Sequence, residues 1–77
     1  MTPEFCREAR KLLGWSELDL AIAAACSSLT VRNLEEGRTR PSYATRVALR
    51  AALEYAGVEF IAENGGGAGV RLRKTAP

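Results

Sequence analysis

Three glycines, Gly14, Gly37 and Gly57, each close a stretch of helix-forming sequence and so divide residues 1–57 into short helical pieces. Glycine enters the left-handed conformation that ends a helix at no steric cost, so each position reads as a stop. Ahead of Gly14, Cys6, Ala9, Leu12 and Leu13 recur at helical spacing, which predicts a first helix over Pro3 to Leu13, with Glu4 near its start and Lys11 near its end. Ser16 is a good N-cap for a second helix over Glu17 to Ala24, with Glu17 and Asp19 in its first turn and Leu20, Ala21 and Ala24 on its inner face. After a break near Ala25 and Cys26, Ser27 caps a third helix that runs through Glu36 to the Gly37 stop, with Val31 and Leu34 as its buried stripe. The segment Arg38 to Ser42 contains Pro41 and reads as a loop. A fourth helix follows from Tyr43 to Ala56, with Leu49, Ala52, Leu53 and Ala56 on one face and Gly57 as its end.

Beyond Gly57 the apolar period changes from helical to alternating. Val58 and Phe60 alternate with Glu59, and Val70 and Leu72 with Arg71 and Arg73, on either side of the turn-forming stretch Asn64 to Gly69, which predicts a β-hairpin. Those glycines do not suit a phosphate-cradling loop, because no Lys-Ser or Lys-Thr pair follows them and no helix opens after them. A lone hairpin is marginal in water and presents an open edge. Val58, Phe60, Val70 and Leu72 are therefore expected to be buried partly against the fourth helix and partly across a twofold interface with a second copy, with Glu59 facing Arg71 or Arg73. The expected organisation is one domain: helices over 1–57, a hairpin over 58–74 that serves dimerisation, and a tail over 75–77.

Chemistry is constrained as much by what is missing. The 77 residues contain no histidine and two cysteines, Cys6 and Cys26, which removes His-containing zinc sites and leaves too few thiols for an all-cysteine site. By count the two cysteines allow one disulfide, but both stand in apolar helical surroundings, which points to buried free thiols. No Ser, Cys or paired carboxylate has an identifiable activating partner, so no catalysis and no cofactor are expected. No apolar run approaches the ~20 residues of a membrane span. The acid-containing start MTPEFCREARKLL lacks a signal-peptide core, and a cytoplasmic location is the expectation. The formal charge is only +2, but Arg32, Arg38, Arg40, Arg46 and Arg50 fall in one central segment, and Arg71, Arg73 and Lys74 form a second basic group.

Two short helices separated by a tight turn, with one helix before them and another after, have the order of a helix-turn-helix, whose second helix can enter a DNA major groove. Ala21, Ala24 and Ala25 supply the small side chains that let the two helices cross closely. In the stretches CREARKLLGWSELDLA and SSLTVRNLEEGRTRPS and the ending ALEYAGVEFIAENGGGAGVRLRK, the sequence resembles the Cro-like and phage-repressor-like regulators, the Xre family, in its short single-domain bacterial form. The resemblance covers nearly the whole chain. It implies a mainly α domain of four to five helices with a C-terminal hairpin, binding a palindromic operator in double-stranded DNA as a homodimeric regulator, with repression the expected direction.

Residue by residue, the resemblance implies that Ser16 caps the second helix, that Val31 and Leu34 anchor a recognition helix, and that Arg10 and Glu35 form a structural ion pair. It implies that Ser28, Leu29, Arg32 and Asn33 meet the groove, that Thr30, Arg38, Thr39 and Arg40 grip the backbone, and that Ser27 also belongs to the DNA-binding set. Positions 28 and 32, and 29 and 33, stack at i, i+4 on the outward face. Asn33 suits adenine, and Arg32 suits guanine or phosphate. This sequence departs from the family in three places. Glu17 stands where a phosphate-binding glutamine is common, and a carboxylate there repels DNA unless it turns away or pairs with a base edge. Ala25 replaces the usual turn glycine, which costs strain if the left-handed conformation is kept. Leu18 and Ile22 form an apolar pair where the family is often polar, and Leu29 adds another exposed apolar candidate; either they contact thymine methyls and a partner chain, or the surface has shifted toward binding a protein. A protein-interaction module, antitoxin-like or a phage-control partner, is accordingly the alternative expectation.

Overall fold

Each helix starts on a hydroxyl side chain that accepts a hydrogen bond from an amide three residues on: Thr2 for α1 (Pro3–Leu12), Ser16 for α2 (Glu17–Ala24), Ser27 for α3 (Ser28–Glu35) and Ser42 for α4 (Tyr43–Tyr55). The bond satisfies one of the amides that every helix start leaves without an internal partner. At α2 the arrangement is reciprocal, because the Ser16 amide in turn donates to Asp19 Oδ2 at 2.9 Å. The computed structural model describes residues 1–62 and 69–73.

α1, α2 and α3 also end alike. Residues Gly14, Ala25 and Gly37 take φ of +70°, +57° and +73°. The next amides, those of Trp15, Cys26 and Arg38, donate back to the carbonyls of Arg10, Ala21 and Asn33 at 3.0, 3.0 and 2.8 Å. These are the closing bonds of a Schellman motif, which turns the chain sharply enough for the next helix to pack on the one just ended. Two of the three turns use glycine. The third places an alanine Cβ in the left-handed region, where it costs about 1 kcal/mol or more.

Once the ends are fixed, the apolar stripes meet. Cys6 and Ala9 of α1, Leu20, Ala21 and Ala24 of α2, Val31 and Leu34 of α3, and Leu49 and Leu53 of α4 form one buried cluster, joined by Val58. Strand β1 (Val58–Ile61) pairs antiparallel with β2 (Gly69–Leu72) in the register Val58↔Leu72, Glu59↔Arg71 and Phe60↔Val70. β1 lies against α4 and β2 against α1, so the hairpin closes the open side of the helical layer. The described residues form a small, mainly helical domain of four helices and one hairpin.

The helix and strand expectations match these elements to within a residue at each end, with three differences of detail. Leu12, expected on the buried stripe of α1, is 41% exposed, because the stripe runs through Cys6 and Ala9 and the chain is already turning at Leu13. Leu72 is 49% exposed, although it pairs across the hairpin with buried Val58, whereas Phe60 and Val70 pack on the core. Cys6 and Cys26 are free thiols, Cys6 fully buried and Cys26 only partly. The expected turn Asn64 to Gly69 lies outside the described residues except for Gly69, as do Lys74 and the tail.

The strained turn generates a stability prediction. Ala25→Gly relieves a left-handed alanine at the smaller cost of extra chain entropy, and should raise stability by about 1 kcal/mol. In a domain of this size that is a rise of roughly 4–8 °C in thermal midpoint by circular dichroism. An unchanged or lower midpoint would mean that the turn carries no strain.

Candidate nucleic-acid interface

The frame behind the candidate face is set by one buried carboxylate. Glu35, on the inner side of α3, has a side chain only 1% exposed, and Arg10 of α1 meets it with both prongs of its guanidinium: Nε to Oε2 and Nη2 to Oε1, each at 2.9 Å. The remaining Arg10 nitrogen, Nη1, donates to the Trp15 carbonyl at 2.8 Å, so one side chain ties α1, the α1–α2 turn and α3 together. Arg7 adds a hydrogen bond from Nη2 to the Glu35 carbonyl at 3.0 Å. Hydrogen bonding to Glu35 raises the Arg10 guanidinium above its already high ordinary value. The Cys6 thiol donates to Glu35 Oε2 at 3.6 Å, and burial, followed by the charge and hydrogen bond of Glu35, pushes it up to about 12. Cys6 therefore stays a protonated, unreactive thiol at neutral pH.

With Val31, Leu34 and Glu35 turned inward, the opposite side of α3 carries Ser28, Leu29, Arg32 and Asn33. Leu29 and Arg32 are exposed, and Ser28 and Asn33 are partly so. Ser27 and Thr30 are engaged with each other at the cap, their hydroxyls 2.9 Å apart. Arg32 is not free: its Nε donates to Glu17 Oε1, at the first position of α2, at 3.2 Å. The Glu17 carboxylate is thus turned onto the face of α3.

Beyond α3 the Schellman turn folds the loop back, with the amides of Arg38 and Thr39 on the Asn33 carbonyl. Arg38, Thr39 and Arg40 line a cleft of about 520 Å³ together with Arg46 of α4. Arg38 pairs with Glu36 at 3.2 Å. Among the described residues, Arg40 and Arg46 have no acidic partner, and the Arg46 Nε is a buried donor without an acceptor. Arg50 is neutralised by Glu54 at 3.3 Å and stacks over Phe60, 5.0 Å from the ring centre.

A second surface is apolar. Trp15, Ala23, Ala24, Ala25, Ala48, Ala51, Ala52, Tyr55 and Ala56 line an open groove between the end of α2 and α4, and Tyr55 stands beside it 94% exposed. Leu18 and Ile22 of α2 are also exposed. On the hairpin, Glu59 meets Arg71 at 3.0 Å from Nε. No group of three or more potential metal-ligating side chains occurs among the described residues, and no described helix is long and apolar enough to cross a membrane.

The structure thus brings Arg10 and Glu35 together, gathers Ser28, Leu29, Arg32 and Asn33 on one face of α3, and sets Arg38, Thr39 and Arg40 in a cleft past the end of α3 that is shared with Met1, Thr2, Pro3 and Leu34. It divides the hairpin set, leaving Leu72 apart from Val58, Phe60 and Val70. Sequence reasoning passed over three participants. Arg7 stands three residues before Arg10, hence on the same helical face. Arg46 was visible only as one member of a basic segment. The Glu17–Arg32 contact joins residues of different helices and left no local signal. Compared with known proteins, the chain matches no family model and no curated protein.

Removal of Arg10 should be costly, because it leaves a buried carboxylate with one Arg7 contact at 3.8 Å and a thiol. Arg10→Ala should destabilise the fold by about 3 kcal/mol. Urea unfolding checks this; a midpoint within error of the parent would mean that Glu35 finds solvent when Arg10 leaves.

Proposed function

We propose that this chain is a non-enzymatic, sequence-specific double-stranded DNA-binding protein of helix-turn-helix type, acting as a homodimeric transcriptional regulator like the Xre family it resembles. The observation that carries the reading is the outward face of α3, which gathers Ser28, Leu29, Arg32 and Asn33; a separate cleft past the end of α3, at the start of α1, holds Arg38, Thr39, Arg40 and Arg46. In this reading α3 lies in the major groove and its outward side chains meet base edges, Asn33 suiting adenine and Leu29 a thymine methyl. The cleft receives the phosphate backbone, for which Arg40 and Arg46 supply guanidinium groups without acidic partners among the described residues. Repression is the direction proposed, since it needs only occupancy of an operator. The hairpin is the proposed twofold contact, with half-exposed Leu72 as the apolar surface left for a second copy.

A second reading has its own support. Exposed Leu18 and Ile22 and the alanine-lined groove beside Tyr55 form apolar surface of the kind that receives a protein, which fits an antitoxin-like or phage-control partner. A chain that ignores duplex DNA at low salt and binds one protein would favour it.

Selection from a random duplex pool tests the first reading, and a recovered palindrome would support function and symmetry together. Arg38→Ala and Arg40→Ala should weaken binding to selected and random duplexes alike, each lowering the salt slope by about 1. Asn33→Ala and Arg32→Ala should instead cost about 1 to 3 kcal/mol on the selected site and relax one or two positions per half-site. Wild-type selectivity in both of the latter variants would remove α3 as the reading element. Sedimentation at tens of micromolar should show a dimer; a monomer there counts against the hairpin contact.

A further inference from the structure

We infer that Glu17 is a specificity-determining residue: it holds Arg32 by its Nε so that the pair reads a G·C base pair. The inference rests on the DNA-binding reading above and names the base pair which that face selects. Arg32 is 57% exposed and Glu17 27%, so both reach the outer surface while remaining joined at 3.2 Å. Among the described residues, Arg32 Nη1 and Nη2 donate to nothing and Glu17 Oε2 accepts nothing. Glu17 is itself well placed, at the first position of a helix whose start is fixed by the reciprocal Ser16–Asp19 bonds.

A long arginine side chain on an open helix face samples many rotamers and meets phosphate as readily as base. Fastening Nε to a carboxylate removes much of that freedom and leaves the terminal fork of two N–H donors, which matches O6 and N7 of guanine. The free oxygen of Glu17 is an acceptor for the N4 amino group of cytosine, the neighbour of guanine O6 on the major-groove edge. An A·T pair opposes both contacts, since the arginine meets the N6 amino donor of adenine and the carboxylate meets the O4 acceptor of thymine. The carboxylate also partly cancels the charge of Arg32, and with it the attraction of that face for phosphate. The pair thereby gives up general affinity for DNA and gains discrimination, an arrangement in which repulsion works on the wrong sites.

The two effects separate in Glu17→Gln, which keeps a hydrogen-bond acceptor for Arg32 and loses the charge. The experiment compares the full chain, Glu17→Gln and Arg32→Lys by selection from a random duplex pool and by salt titration on the selected site and on random duplex. The parent should select G·C at one position per half-site. Glu17→Gln should bind random duplex more tightly, with a salt slope steeper by about 1, while its preference for G·C at that position falls about tenfold. Arg32→Lys should lose the same preference without the gain in random binding. Thermal melts of both variants near the parent's would assign these changes to recognition and not to folding. If the parent selects a site but both variants return the same G·C position at the same ratio, the pair is a structural contact only and the inference fails. If the parent shows no duplex binding at low salt, the DNA-binding reading fails and takes the inference with it.

Discussion

A carboxylate buried in a small core is expensive unless its charge and lone pairs are all met, and Glu35 is the point from which the rest of this fold is organised. Arg10 supplies a matched fork and spends its last donor on the backbone at Trp15, so the positions of α1, of the turn before α2 and of α3 are coupled through one guanidinium. Apolar packing alone would let short helices slide against one another with little penalty, because alanine and valine surfaces are permissive. A bidentate bond is not permissive. It fixes the rotation of α3 about its own axis, and that rotation decides which side chains face outward.

The helices so fixed are eight to thirteen residues long, lengths at which isolated helices are not stable in water. Hydroxyl caps at the starts and Schellman closures at the ends settle where each one begins and stops, and the shared core then makes them persist. Ala25 shows the strength of that arrangement, for the turn keeps its left-handed geometry although the residue occupying it disfavours it. The bond from Cys26 to Ala21, and the burial of Ala21 and Ala24 that it permits, outweigh the local cost.

Most of this architecture was legible because its signals are local. Ser16, Ser27, Gly14, Gly37 and Gly57 mark helix ends within a few residues of themselves, and Val31, Leu34, Leu49 and Leu53 repeat at intervals that only a helix places on one side. The change of period after Gly57 disclosed the hairpin for the same reason. The candidate face was less legible. Arg10 and Glu35 were paired through a family resemblance, and no spacing of theirs would have joined them across 25 positions. Glu17 and Arg32 are separated by 15, and their contact follows from the angle at which α2 and α3 cross, a quantity that the sequence does not express in any one segment. Leu72 alternates just as Val58 does, and alternation gives the side of a strand but not how deeply each position on that side is covered.

The position of Trp15 has one more consequence. It is the chain's only tryptophan, it is partly buried against the core, and its carbonyl accepts the third bond of Arg10. Its indole is therefore a built-in optical reporter placed at the joint between α1 and α2. Emission recorded from it follows the loosening of that joint, and of the groove it shares with Tyr55 and Ala56 of the α4 end, without any added label.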